Sequence, residues 1–254
     1  MLNPVVEAGS TLSLDSSTSS PIPSPTSTPK ISTLDFTKTL EQYNNIEVSI
    51  VYENLKTKER AEINPNIPRI GASTTKLVTA IYILNQIEKG KIKFDDKLGN
   101  YNVKFQFQQL INQSNNISWE LFLDLGGRNN ISNYAKNIGI KDFDISKNTI
   151  TANDMAHLLK RIYQKELLSE ENTQYLISLM KNTEDDTFVS HTKEDLNLFH
   201  KNGKLDGVVN EAIIYNKENN PFVLAIYTDG KEVMKYEERR KLFYLIIDVV
   251  LENN

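Results

Sequence analysis

Gly71-Ala72-Ser73-Thr74-Thr75-Lys76 leads straight into Leu77-Val78-Thr79-Ala80-Ile81-Tyr82-Ile83-Leu84, and this junction decides the fold. Residues 74–88 form the most apolar helical pattern in the chain. Leu77, Val78, Ala80, Ile81, Ile83, Leu84 and Ile87 spread nearly all round the cylinder, which predicts a central, buried helix. Gly90 ends it. Ser73 and Lys76 are three residues apart, so they share neighbouring parts of one helix surface and Lys76 can reach the Ser73 hydroxyl. The positive field of a helix N-terminus favours a developing alkoxide. A lysine held in a dry, crowded site can lose its proton and act as a base. Together these predict a serine nucleophile with a lysine beside it. The spacing alone is common: Ser27/Lys30, Ser178/Lys181 and Ser190/Lys193 share it, but none of these opens a strongly apolar helix.

Outward from this helix the patterning is regular. Residues 34–43 place Leu34, Phe36, Leu40 and Tyr43 at helical spacing. Residues 46–52 alternate Ile46, Val48, Ile50 and Tyr52 on one face of a strand. A turn at 53–56 and a weaker strand to about Ile63 follow, and Pro65 and Pro68 punctuate a loop. Helical pieces are predicted near residues 105–111, 118–125, 131–138, 153–163 and 169–180. Three β-rich runs follow at 198–201, 208–215 and 222–227, with a turn at Asn219-Asn220-Pro221 before the last. A closing amphipathic helix runs from about Glu232 to Leu251. The order is helix, two strands, a block of helices, three strands, helix. The expected fold is therefore an α/β (α+β) sandwich. One five-stranded antiparallel sheet is built from both ends of the chain, and an all-helical lobe of about residues 70–190 is inserted between them. A cleft between the two lobes is the expected place for a site.

Two more polar clusters fit that plan. Ser114-Asn115-Asn116 sits in a loop between two helical patterns, and His200-Lys201-Asn202-Gly203 sits at the end of a β-run. Each has chance matches elsewhere, at Ser146-Lys147-Asn148 and Lys97-Leu98-Gly99. What distinguishes them is their order: Ser-x-x-Lys opening a buried helix, Ser-x-Asn in the helical lobe, Lys-x-Gly on a late strand. In this order and context the chain resembles the serine β-lactamase and penicillin-binding superfamily, most closely class A β-lactamase-like serine hydrolases, over about residues 34–254. The Gly126-Gly127 pair, the stretch Thr149-Ile150-Thr151-Ala152-Asn153-Asp154-Met155-Ala156, and a last strand followed by a long helix agree with it.

The resemblance implies the following roles. Ser73 attacks a carbonyl carbon, and Lys76 takes or relays its proton. Ser114 passes a proton to the departing nitrogen, with Lys201 close by. Asn116 holds the substrate amide and the Lys76 side chain. The N–H groups of Ser73 and Lys204 form an oxyanion hole. Lys201 and Asn202 bind the substrate carboxylate, and Gly203 leaves the strand edge open to an added substrate strand. The substrate is a small β-lactam or a peptidoglycan stem peptide, with no metal or organic cofactor implied. The setting is extracytoplasmic and the expected state a monomer.

The departures from the family pattern shape the expected activity. Class A enzymes use a loop Glu to activate the deacylating water, but residues 128–153 contain no Glu, only Asp142 and Asp144. Those two acids read better as solvated loop residues. Asn115 and Asn202 replace the Asp and the Thr or Ser of the family motifs, Leu205 follows where the family often has Gly, and no Arg lies between Lys201 and Tyr215. The expectation is an acylating serine hydrolase with slow β-lactam hydrolysis. A D-alanyl-D-alanine peptidase or penicillin-binding protein, and a non-catalytic cell-wall-peptide-binding or β-lactam-sensing domain, are the alternatives.

Composition sets the outer bounds. The chain has 254 residues, a net charge of −4, no cysteine and three histidines (His157, His191, His200) without close spacing. This argues against thiolate chemistry, a histidine metal cluster and a basic nucleic-acid surface. No run approaches the ~18 apolar residues of a membrane helix. From Ser10 to Thr33, 18 of 24 residues are Ser, Thr or Pro, so residues 1–33 are expected to be a disordered linker ahead of the folded domain. Met-Leu-Asn-Pro-Val-Val shows neither a basic nor an apolar leader pattern; the expectation is that an export signal, if one existed, was removed before this numbering begins.

Overall fold

Strands from opposite ends of the chain meet at the centre of the sheet. A computed structural model describes residues 30–31, 34–181, 183, 197–216, 220–230 and 236–252. Strand β1 is Lys30–Ile31, helix α1 Thr37–Leu40, strand β2 Ile46–Asn54 and β3 Glu59–Ile63. The helical lobe opens after the two-residue β4, Arg69–Ile70, with a 3-10 turn at Ala72–Thr75 and helix α2 at Lys76–Glu88. Short β5 (Lys97–Leu98) and β6 (Tyr101–Asn102) precede α3 (Val103–Ile111), α4 (Asn116–Gly126) and α5 (Arg128–Asn137). Then come β7 (Thr149–Ile150), α6 (Ala152–Tyr163) and α7 (Glu170–Leu179). The chain closes with β8 (Leu198–Leu205), β9 (Val208–Tyr215), β10 (Phe222–Gly230) and α8 (Tyr236–Glu252).

The main sheet has the order β1-β3-β2-β10-β9-β8. Five antiparallel strands form it as expected, with Ile50 opposite Ile226 at the junction of the two chain ends. The short β1 adds a parallel pairing on the outer edge of β3, Lys30 to Glu59 and Ile31 to Arg60. That edge otherwise presents a row of backbone donors and acceptors, which templates an added strand. Paired structure thus begins at Lys30, inside the expected linker, whose residues 1–29 lie outside the described residues.

Strand alternation divides the core in two. Val51, Ala212, Val223, Ala225 and Tyr227 face the helical lobe. Ile50, Tyr52, Ile213, Leu224 and Ile226 face the other way, against Leu242, Phe243, Ile246, Ile247 and Val250 of α8. Helix α2 is the centre of the lobe: Leu77, Val78, Ala80, Ile81, Ile83 and Leu84 are all fully buried. Each such side chain contributes about 1.5–3 kcal/mol by leaving water. Leaving the site on this helix fixes it to the most rigid part of the fold. Side-chain caps start the helices around it: Asn115 Oδ1 accepts from Ser118 N–H at 3.0 Å on α4, and Thr151 Oγ1 from Asp154 N–H at 3.0 Å on α6.

Several boundaries shift for local reasons. The helix expected over 34–43 shortens to α1 and a 3-10 turn at Glu41–Tyr43. Asp35 Oδ1 accepts from Thr37 N–H at 2.8 Å, which starts it late. The turn expected at 53–56 falls after Asn54, whose side chain accepts from the N–H groups of Lys56 and Thr57, each at 2.9 Å. Strand β8 runs four residues past its expected end, because pairing with β9 continues through Gly203–Asn210 to Leu205–Val208. Strand β10 runs three residues further because Thr228, Asp229 and Gly230 pair with Val48, Glu47 and Ile46. His191, the Ser190/Lys193 pair, the Ser27 of Ser27/Lys30 and the Asn219 of the expected turn lie outside the described residues. No helix among the described residues is long and apolar enough to cross a membrane.

Candidate active site

Ser73 lies on the 3-10 turn that precedes α2, not on the helix itself. Side chains three apart eclipse in a 3-10 turn. Lys76 therefore stands directly over Ser73, and its Nζ donates to Ser73 Oγ at 3.0 Å. The same ammonium donates to Asn116 Oδ1 at 2.8 Å and to the carbonyl oxygen of Ser114. Trp119 on α4 closes over it, with the ring centroid 5.8 Å from Nζ and the indole N–H held by Thr79 Oγ1 at 3.1 Å. Lys76 is fully buried. Burial pushes its pKa down from the ordinary 10.5 to about 7, and the charge of Lys201 adds to the effect.

The second lysine arrives from the edge of the sheet. Lys201 on β8 is also fully buried, and its Nζ donates to Ser114 Oγ at 2.9 Å, to Asn202 O at 3.1 Å and to Asn202 Oδ1 at 3.3 Å. Ser114 is thus the meeting point of both lysines. It reaches them from a left-handed backbone conformation (φ 55), which an L-residue adopts at a cost. A cleft of about 430 Å³ opens beside these groups, lined by Ser73, Asn112, Gln113, Ser114, Asn116, Asn202 and Lys204.

The edge strand is pressed against the nucleophile turn. Gly203 is paired with Asn210 inside the sheet, and a Cβ there would lie 2.8 Å from Gly71 O and 3.0 Å from Ser73 N. Its glycine is required by this close approach, a reason the sequence does not display. His200 N–H donates outward to Met180 O at 2.9 Å. Alternate residues of a strand direct their N–H groups to the same side, so the N–H groups of Asn202 and Lys204 point to that outer edge. The structure therefore brings together all eight residues singled out in the sequence: Ser73, Lys76, Ser114, Asn116, Lys201, Asn202, Gly203 and Lys204.

Asn210 and Asn148 escape sequence reasoning. Asn210 Nδ2 donates to Ile70 O at 2.8 Å and Gly71 O at 3.2 Å, and its Oδ1 accepts from Thr228 N–H at 3.1 Å. Asn148 belongs to a stretch that reads as a chance match. Yet its Oδ1 accepts from Thr75 Oγ1 at 2.6 Å, its Nδ2 donates to Ala72 O at 3.2 Å, and its carbonyl accepts from Gly71 N–H at 2.7 Å. These two amides grip the turn from opposite sides and hold Ala72 at a left-handed φ of 49. The available signal for Asn210 is a polar residue in an otherwise apolar strand.

The loop acids sit elsewhere. Asp144 accepts from Ser146 Oγ at 2.6 Å and from Ser146 and Lys147 N–H, and these bonds draw its pKa down to about 2. Asp142 and Asp144 line a different cleft, with Pro68, Phe143 and Lys147. No acid lines the Ser73 cleft among the described residues. Nor does any group of three His, Cys, Asp or Glu among them have the arrangement to hold a metal.

By sequence, the chain matches the Beta-lactamase enzyme family over residues 32–252. No curated protein matches it by sequence. By fold it is similar to PBP-A, at 18% identity and a TM-score of 0.78 over 85% of this chain and 92% of that one. A mutant of PBP-A, solved as an acyl-enzyme complex with penicillin G, matches at 18% identity and 0.77 over 85% and 92%. A β-lactamase from Sphaerobacter thermophilus DSM 20745 matches at 16% identity and 0.78 over 86% and 97%. At these identities the likeness is one of fold.

Proposed function

Because the chain belongs to the Beta-lactamase enzyme family, we propose that it is a serine acyl-transfer enzyme whose acyl-enzyme forms readily and hydrolyses slowly. The substrate class is a β-lactam or a D-Ala-D-Ala-like amide. The observation that carries the reading is Lys76 Nζ at 3.0 Å from Ser73 Oγ, on a lysine whose pKa stands at about 7. At neutral pH a sizeable fraction of Lys76 is the free amine. It takes the Ser73 proton as Oγ attacks the carbonyl carbon. The N–H groups of Ser73 and Lys204 receive the oxyanion, each worth about 3–4 kcal/mol to the transition state.

Collapse of the adduct breaks the C–N bond, and the leaving nitrogen needs a proton. Ser114 Oγ accepts from Lys201, which leaves its own hydrogen to be given to that nitrogen. The proton held by Lys76 then restores Ser114. Asn116 orients the substrate amide, and Lys201 with Asn202 neutralises its carboxylate. The absence of an acid from the lining of the Ser73 cleft favours persistence of the ester. That same observation favours a second reading, a penicillin-binding protein or β-lactam sensor. Peptidoglycan chemistry would place the enzyme outside the cytoplasmic membrane.

Intact-protein mass spectrometry after adding penicillin G, followed from seconds to hours, tests this. The expected result is an adduct of whole-ligand mass that persists and is missing from Ser73→Ala. Rapid decay with accumulating penicilloate would instead show a true β-lactamase with another deacylation route. No adduct at any time would sink the acylation mechanism for β-lactams.

A further inference from the structure

A second cavity, of about 410 Å³, lies on the far side of the loop that carries Ser114. Ser114 and Asn116 line the reaction cleft, while Asn115 between them lines this cavity. Consecutive Cα atoms are about 3.8 Å apart, so the two hollows share a wall one residue thick. Three observations describe what the cavity would hold. First, Tyr101 and Phe105 form an exposed aromatic pair, with ring centroids 4.2 Å apart and planes 31° apart. Tyr101 is 55% exposed and Ile117, beside Asn116, is 73% exposed. Second, none of the ten lining residues is charged, in a chain that is 24% charged. Third, the polar lining consists of amides and one hydroxyl: Asn100, Gln106, Gln109, Asn115 and Ser118.

A pyranose ring has this chemistry in mirror image. Its C–H faces pack on aromatic rings, whose faces carry partial negative charge. Its hydroxyl and acetamido edges pair with side-chain amides, which both donate and accept. A charged ligand would find no counter-ion here, and a purely apolar one would strip water from the amides without replacing their hydrogen bonds. Part of the polar floor is already fixed. Gln106 is buried, donates to Leu98 O at 3.0 Å and accepts from Ser118 Oγ at 2.7 Å. The rim amides of Asn100 and Gln109 stand ready above it.

We propose that this cavity is a saccharide subsite that holds an uncharged amino-sugar unit of the glycan carrying the stem peptide, next to the peptide in the reaction cleft. The source of the sugar rests on the function proposed above; the subsite itself does not. The test is titration of the full chain with a soluble tetramer of β-1,4-linked N-acetylglucosamine, by calorimetry and by amide NMR. Saturable binding is expected, with shifts centred on Tyr101, Phe105 and Ile117. Tyr101→Ala and Phe105→Ala should each weaken it about tenfold, near 1.4 kcal/mol. Both should melt at the wild-type temperature and keep the rate of penicillin labelling. Ser73→Ala should bind the sugar normally. The proposal is overturned by no saturable binding at millimolar sugar, by binding that both ring variants leave intact, or by an acyl-chain probe occupying the cavity while the sugar does not. Sugar binding without a penicillin adduct would keep the subsite and remove the acylation reading; an adduct without sugar binding would do the reverse.

Discussion

Ser114 Oγ accepts from Lys201 Nζ at 2.9 Å, while the carbonyl of the same residue accepts from Lys76. Only the first of these bonds uses the Ser114 side chain. Ser114→Ala therefore removes the proton path to the leaving group but keeps the hold on Lys76. Lys201 retains its bonds to Asn202 O and Oδ1. Acylation by a fluorescent penicillin is expected to fall about 10²–10⁴-fold, the usual value of one positioned proton donor. The melting temperature should hardly move. A large loss of stability with unchanged labelling would assign Ser114 a purely structural part.

The pH dependence of acylation should report Lys76. The base works as the free amine, so the second-order labelling rate should rise with pH through a midpoint of about 7 and fall as acid protonates Lys76. Burial is the larger cause of that low value and Lys201 the smaller one. Lys201→Met removes a neighbouring positive charge, which makes the ammonium form of Lys76 easier to keep. The midpoint should therefore move upward in Lys201→Met, whatever happens to the maximal rate. A downward or unchanged midpoint would show that the two lysines do not sense each other.

Helix α2 was legible because its signal is local. Seven apolar residues around one cylinder demand burial wherever the rest of the chain goes. The meeting of the chain ends was legible because β-runs at both termini flank a purely helical middle. The extent of β8 was not, since Asn202, Gly203 and Lys204 look like a turn until β9 supplies the register. Gly203 shows the same limit: its need for a missing side chain comes from Gly71 and Ser73, more than a hundred residues away in sequence. Asn148 failed differently. Its short motif is common, and only the fold turns its amide toward Ala72 and Thr75. The saccharide-like cavity was invisible for a similar reason, because Tyr101 and Phe105 stack across a strand end and a helix start.

Deacylation gives the third prediction. Asp144 is committed to its own turn through Ser146 and Lys147, and neither it nor Asp142 lines the Ser73 cleft. Asp142→Asn and Asp144→Asn should leave the half-life of the penicillin adduct within about twofold of wild type, the scale of a neutral surface change. A tenfold longer half-life in either variant would identify that carboxylate as the missing base. The measurement is the decay of the adduct mass after removal of free penicillin.

Asn210 supplies the last. Its amide nitrogen donates to the carbonyls of Ile70 and Gly71 in a fully buried place, and its oxygen receives Thr228 N–H. Asn210→Ala leaves those groups without a partner, at a cost of about 1–3 kcal/mol. For a chain of this size each kcal/mol lowers the melting temperature by about 2–4 °C. Asn210→Asp keeps the shape but puts a carboxylate oxygen against two carbonyl oxygens. It should therefore be the more destabilising of the two, and increasingly so as pH rises and the carboxyl ionises. Loss of the grip on Gly71 also frees the turn that holds Ser73, so labelling by penicillin should slow in both variants even well below their melting temperatures. If Asp proves milder than Ala, the amide is not donating to Ile70 and Gly71 as described, and the turn is held by Asn148 and by the contact with Gly203 instead.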